Sequence, residues 1–115
     1  MRANEKKKLN SLIEAFGALC EVNESMPARQ ALTLLVTAKM EADGLEVDMQ
    51  AVGKATRAPS AVVSRDLLGL GKRTRMGKPG LDLVESYEDY NDLRRKPYRM
   101  TKKGHTVIQK MLAKL

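Results

Sequence analysis

Residues 48–71, DMQAVGKATRAPSAVVSRDLLGLG, decide the fold. Asp48 is a good N-cap for a short helical segment, MQAVGKAT. Arg57-Ala58-Pro59 then breaks that segment, because proline lacks the N–H a helix needs and disfavours helical backbone in the residue before it. Ser60 is placed to cap a second segment, SAVVSRDLLGL, which Gly71 closes. Two helices therefore meet across a very tight corner. Such a corner needs a small residue where the helices cross, and Gly53 and Ala55 are read as supplying it. Val52, Val63, Leu67 and Leu70 can then close a core between the two helices. With Val63 turned inward, helical spacing sends Ala61, Ser64, Arg65 and Leu68 outward, with Ser60 at the amino end. This is the pattern of a helix-turn-helix.

Working outward, Leu9, Leu12, Ile13, Phe16, Leu19 and Cys20 recur at three- and four-residue spacing, an apolar stripe on a helix of about five turns. Ser25 is read as the N-cap, with Pro27 in the first turn, of a helix ARQALTLLVTAKMEA that is apolar enough to be central. It stops at Asp43-Gly44, with Gly44 as the C-terminal cap. Leu45-Glu46-Val47 has room only for an edge strand or an extended link. Beyond the corner, KRTRMGKPG at 72–80 has no periodicity and reads as a flexible basic loop. LDLVESY and KPYRM have strand character and flank EDYNDLRR, which predicts a two-stranded wing over 81–100 with an acidic tip. Thr101 caps a last helix over 102–115, where Val107, Ile108, Met111, Leu112 and Leu115 form a second stripe. The expected fold is mainly α with a small β-hairpin, a winged helix-turn-helix in a single domain over 1–115.

Composition narrows the function. The 115 residues suit one domain, and 43% hydrophobic with 30% charged residues is the balance of a folded protein. One Phe, three Tyr and no Trp leave no aromatic platform for single-stranded nucleic acid, so the core falls to Leu, Val, Ala and seven Met. The net charge is +7, and it is segregated. The windows Lys54–Lys78 and Arg94–Lys103 hold thirteen of the 21 cations and one acid, Asp66, whereas Asp82–Asp92 holds five acids and no base. Uniform solubilising charge does not need such an arrangement, and a nucleic acid fits it better than a membrane surface. Cys20 is the sole cysteine and His105 the sole histidine, which excludes an intramolecular disulfide and a zinc site. Cys20 is read as a core thiol and His105 as a helix residue. The chain reads as intracellular and cytoplasmic, with no metal, cofactor or membrane span expected. Lys6–Lys8 followed by LNSLIEAFGALC mimics a signal peptide, but Asn10, Ser11 and Glu14 interrupt its apolar run.

The outward face of residues 60–71 carries chemistry suited to a major groove. Arg65 can contact a guanine edge through two hydrogen bonds, Ser60 and Ser64 suit phosphate or base, and the methyl of Ala61 or Val62 can pack on a thymine methyl. Lys72, Arg73, Arg75 and Lys78 follow on the loop and can track the phosphate backbone, while Arg94 and Arg95 lie on the wing's return.

Two stretches, AVGKATRAPSAVVSR at 51–65 and DLRRKPYRMTKKG at 92–104, resemble the MarR-like winged-helix DNA-binding proteins. The second is the more specific, with Asp-x-Arg, a further Arg, a short strand and then Thr-x-x-Gly. The resemblance implies a recognition helix in the major groove of double-stranded DNA, a wing arginine at the minor groove and a homodimer formed through the terminal helices. By position, those roles fall on Ser60, Ser64 and Arg65 for the helix and on Asp92 and Arg94 for the wing. The chain departs from this pattern in its inserted RTRMGKP loop, in an acidic wing tip of Glu85, Glu88, Asp89 and Asp92, and in its short last helix.

No catalytic constellation can be assembled. Ser64 has no histidine near it in sequence, the acids cluster on an exposed turn, and GKPG at 77–80 lacks the strand-loop-helix setting of a phosphate loop. The expected function is that of a small transcriptional regulator. The alternative is a winged-helix protein interaction module whose acidic wing, with Tyr87 and Tyr90, contacts a basic partner. A salt link to the acidic tip is the competing role for Arg94 and Arg95.

Overall fold

The computed structural model describes residues 1–72, 77–87 and 97–115. Among these residues the order is α1 (Ala3–Val22), α2 (Ala28–Ala42), α3 (Met49–Thr56), α4 (Ser60–Leu70), β1 (Val84–Ser86), β2 (Tyr98–Met100) and α5 (Lys102–Leu112). Helix α2 is the hub, packing on α4, α3 and β2, while α1 packs on α5. Its buried face of Ala31, Thr33, Leu34 and Thr37 explains why so apolar a segment is central. Thr37 turns its hydroxyl back onto the Thr33 carbonyl at 2.8 Å, which satisfies a polar group inside the core. Gly44, at φ +74, ends α2 in the left-handed conformation expected of it, and Leu45 N–H bonds back to the Met40 carbonyl.

The corner between α3 and α4 forms as its residues dictate. The Asp48 carboxylate accepts the Ala51 N–H at 2.8 Å and starts α3. Gly53 is held against the next helix: a Cβ there would lie 3.1 Å from the Ala58 carbonyl oxygen and 3.4 Å from Val63 Cγ2. Val52, Val63, Leu67 and Leu70 are buried as the spacing required. Ala55 is exposed, so Gly53 alone supplies the close approach.

The wing is a short antiparallel pair, Val84↔Met100, Glu85↔Arg99 and Ser86↔Tyr98. Val47 adds a single antiparallel bridge to Tyr98, so the link after α2 pairs on the outer side of β2. Where that link turns away, the Glu41 carboxylate takes over, accepting the Met100 N–H at 2.6 Å and meeting His105 Nε2 at 2.8 Å. Glu41 thus ties α2 to both the wing and α5.

Thr101 anchors α5. Its hydroxyl accepts the Gly104 N–H at 2.9 Å and donates to the Asp82 carbonyl at 2.6 Å, while its own N–H reaches the Leu83 carbonyl. A Cβ at Gly104 would overlap that Leu83 oxygen, which gives the Thr-x-x-Gly stretch its physical meaning. Gly104→Ala should destabilise the fold by about 2 kcal/mol, because backbone on both sides must separate. Urea denaturation would measure this, and an unchanged midpoint would mean that α5 is not docked this closely.

Several sequence expectations need correction. Ser25 does not cap α2: Asn23 draws the Ser25 N–H onto its side chain, and Pro27 takes the cap position. Ser60 does not cap α4 either, since it is already helical and extended Pro59 is the cap. Gly71 closes α4, but in extended backbone. Residues 81–83 are not strand, because Asp82 is left-handed at φ 56 and the segment instead bonds the end of α4, Leu83 N–H to the Leu70 carbonyl at 2.8 Å. Helix α5 stops at Leu112, short of residue 115. Cys20 is exposed and is no core thiol, because α1 buries only Ala15 and Leu19.

Candidate nucleic-acid interface

Helix α4 is held from behind. Val63, Leu67 and Leu70 fix its inner face. Asp66 shares that face, where its carboxylate accepts the Thr33 hydroxyl at 3.4 Å. Although Asp66 is the one acid of the first basic window, it is turned into the protein and away from the surface beside Arg65. The spacing of Asp66, Leu67 and Leu70 at i+3, i+4 and i+7 from Val63 is the sequence signal that marks Asp66 as inward.

The opposite face carries the expected residues. Ser60, Ala61 and Arg65 are exposed, Ser64 is half-buried and Leu68 is exposed beside them. These share one side of a single rigid helix, and Arg65 makes no ion pair among the described residues. Lys72 follows the helix, and its carbonyl accepts the Gly80 N–H at 2.8 Å, which draws the two ends of the basic loop together. Lys72 and Lys78 are both exposed. Arg73, Arg75, Arg94 and Arg95 lie outside the described residues, as do Glu88, Asp89, Tyr90 and Asp92 of the acidic tip.

On the described part of the wing, Arg99 is committed within the hairpin, bonding Glu85 at 2.7 Å and lying 5.0 Å from the centre of the Tyr87 ring. Burial raises the Tyr98 phenol above its ordinary pKa, so it stays neutral at physiological pH. Beside the start of α4, residues of α3 and the corner line an open cleft of about 410 Å³, with Gln50, Lys54, Arg57 and Ser60 at its walls. Lys54 and Arg57 belong to the first basic window. Among the described residues no three His, Cys, Asp or Glu side chains gather as metal ligands, and no helix is long and apolar enough to cross a membrane.

The sequence matches no protein-family model and no curated protein. Solved structures do match. A mutant of S. aureus MepR bound to an oligodeoxyribonucleotide superposes with a TM-score of 0.67 at 21% identity, covering 96% of this chain and 68% of that one. S. aureus MepR bound to ethidium bromide gives a TM-score of 0.68 at 18% identity, covering 99% of this chain and 75% of that one. The PcaV transcriptional regulator from Streptomyces coelicolor, in complex with its natural ligand, gives 0.57 at 22% identity over 79% of this chain and 56% of that one. Among the described residues, five helices around a two-stranded hairpin, matched along nearly the whole length by the MepR structures, give this chain the winged helix-turn-helix fold of the MarR-like regulators.

Proposed function

We propose that this chain is a sequence-specific double-stranded DNA-binding protein, a small transcriptional regulator that reads the major groove with α4 and binds as a homodimer. The observation that carries the reading is the outer face of α4. A rigid helix presents Ser60, Ala61, Ser64 and an Arg65 that makes no ion pair among the described residues on one side, and its only carboxylate is buried on the other. Arginine offers two parallel donors to guanine, and serine hydroxyls serve base or phosphate. Similarity to a regulator solved with DNA supports the same reading. Lys72, Arg73, Arg75 and Lys78 would position the protein on the backbone, with Arg94 and Arg95 doing so from the wing. None of this calls for a catalytic group, a metal or a cofactor.

The homodimer rests on the exposed apolar residues of the end helices. Leu9, Leu12, Ile13 and Phe16 of α1, with Leu112 of α5 and the following Leu115, all remain exposed in the single chain. A two-fold pairing of these helices would place two copies of α4 on one face of a duplex. Selection from random duplexes should therefore enrich an imperfect palindrome with half-sites about one helical turn apart. Binding to it should weaken steeply between low and moderate salt. Failure to enrich any duplex, together with capture of a basic protein, would replace this reading with the interaction-module alternative.

A further inference from the structure

We propose that the groove between α1 and α5 is a second self-association face, separate from the apolar stripe, and that its occupant is the same groove of another copy of this chain. The groove has a volume of about 490 Å³. On its α1 side it is lined by Glu14 and Glu21 with Gly17 between them in sequence, and on its α5 side by Lys110 and Lys114 with Ala113 between them. All four charged residues are exposed, and none makes an ion pair among the described residues, although Glu41, Asp43 and Glu85 elsewhere do. One wall is therefore a row of carboxylates and the other a row of ammonium groups, not joined across the gap. Helical spacing sets Glu14 and Glu21 on a different side of α1 from Leu9, Leu12 and Phe16, so the charged face is not the apolar one. The inference goes beyond the homodimer and DNA-binding readings and depends on neither.

Such a face is complementary to itself. A two-fold axis lying along the groove sets the acidic wall of each copy against the basic wall of the other, and each contact then occurs twice by symmetry. Gly17 points the same way. It stands inside α1, where glycine is a poorer helix former than alanine, and a Cβ built there would meet nothing within 4 Å. No contact within the chain therefore asks for glycine at this position, whereas a neighbouring backbone arriving from outside would. Each exposed ion pair contributes little and is screened by salt, so the association is a weak one assembled from several symmetric pairs. The chain as a whole carries +7, which makes unselective contacts between copies repulsive. Attraction at low salt thus requires a face on which opposite charges meet. Where the apolar face has already paired two chains, the groove joins the pairs into tetramers.

The test is sedimentation velocity of the full chain at high protein concentration, in low and in high salt. Two variants accompany it, one combining Glu14→Lys with Glu21→Lys and the other combining Lys110→Glu with Lys114→Glu. The wild-type mass should double on passing from high to low salt. Each variant alone carries like charges on both walls and should show no increase. An equal mixture of the two should show it again, because an all-basic groove then meets an all-acidic one, a rescue that a purely structural role of these residues would not give. Gly17→Gln should melt at or above the wild-type temperature and still lose the low-salt species, since its side chain fills space that the other copy needs. A wild-type mass equal at low and high salt would overturn the groove as an interface, as would variants that keep the increase. A dimer unaffected by salt alongside that result would leave the apolar face and the DNA-binding reading in place.

Discussion

Replacing Ile13 and Phe16 together by aspartate should leave the chain folded but monomeric, and should lower its affinity for a two-half-site duplex by about two to four orders of magnitude. Ile13 is 61% and Phe16 49% exposed in the single chain, so only part of their packing lies within it. What is lost is a surface. Helix α1 carries four large exposed apolar side chains on the stripe from Leu9 to Phe16, while the residues it buries within the chain are Ala15 and Leu19. Grouped apolar exposure of this kind marks an association surface, and a carboxylate buried in a two-fold contact would face its own copy without a counter-charge. Light scattering reads the assembly, and titration against single and paired half-sites reads the consequence. A wild-type protein that is monomeric at micromolar concentration, with and without DNA, would refute the dimer.

Leu67→Ala should destabilise the chain by about 3 kcal/mol, within the range for removing a buried leucine from a packed core. Leu67 is 2% exposed on the inner face of α4, in the cluster with Leu34, Val52, Val63 and Leu70 that joins α4 to α2 and α3. Such a loss is a large part of a small domain's total stability. Arg65, two positions earlier on the outer face, should behave oppositely, with Arg65→Ala staying within about 0.5 kcal/mol of wild type in the same urea titration. Equal stability of the two variants would mean that the inner and outer faces of α4 have been misassigned.

The corner was legible from sequence because its requirements are local. Gly53 faces Val63 across a break that Pro59 enforces, and the buried set Val52, Val63, Leu67 and Leu70 follows from helical spacing alone. The caps at Asp48, Gly44 and Thr101 were legible for the same reason, each serving its own chain end. Expectations failed where a neighbouring proline or a distant segment settled the choice. Ser25 and Ser60 are good caps in isolation, but each precedes or follows a proline whose extended backbone does the capping. Residues 81–83 carry strand-forming side chains, yet their backbone is claimed by Leu70, Gly71 and Thr101. Cys20 lies on an apolar stripe wider than the face α5 covers, and spacing alone cannot say how wide that face is. The outer face of α4 was legible as a candidate site, whereas the groove between α1 and α5 was not. Its two walls come from opposite ends of the chain, and only their packing brings Glu14 and Glu21 to the same groove as Lys110 and Lys114.

The most direct test of the central claim, that α4 reads a major groove through its outer face, is the affinity of Arg65→Ala for the duplex selected by the wild-type protein, compared with duplexes altered one base pair at a time. A loss of about 1–3 kcal/mol on the selected duplex is expected, together with relaxed discrimination at one base pair in each half-site and undiminished thermal stability. Wild-type affinity and wild-type discrimination in the Arg65→Ala variant would contradict it.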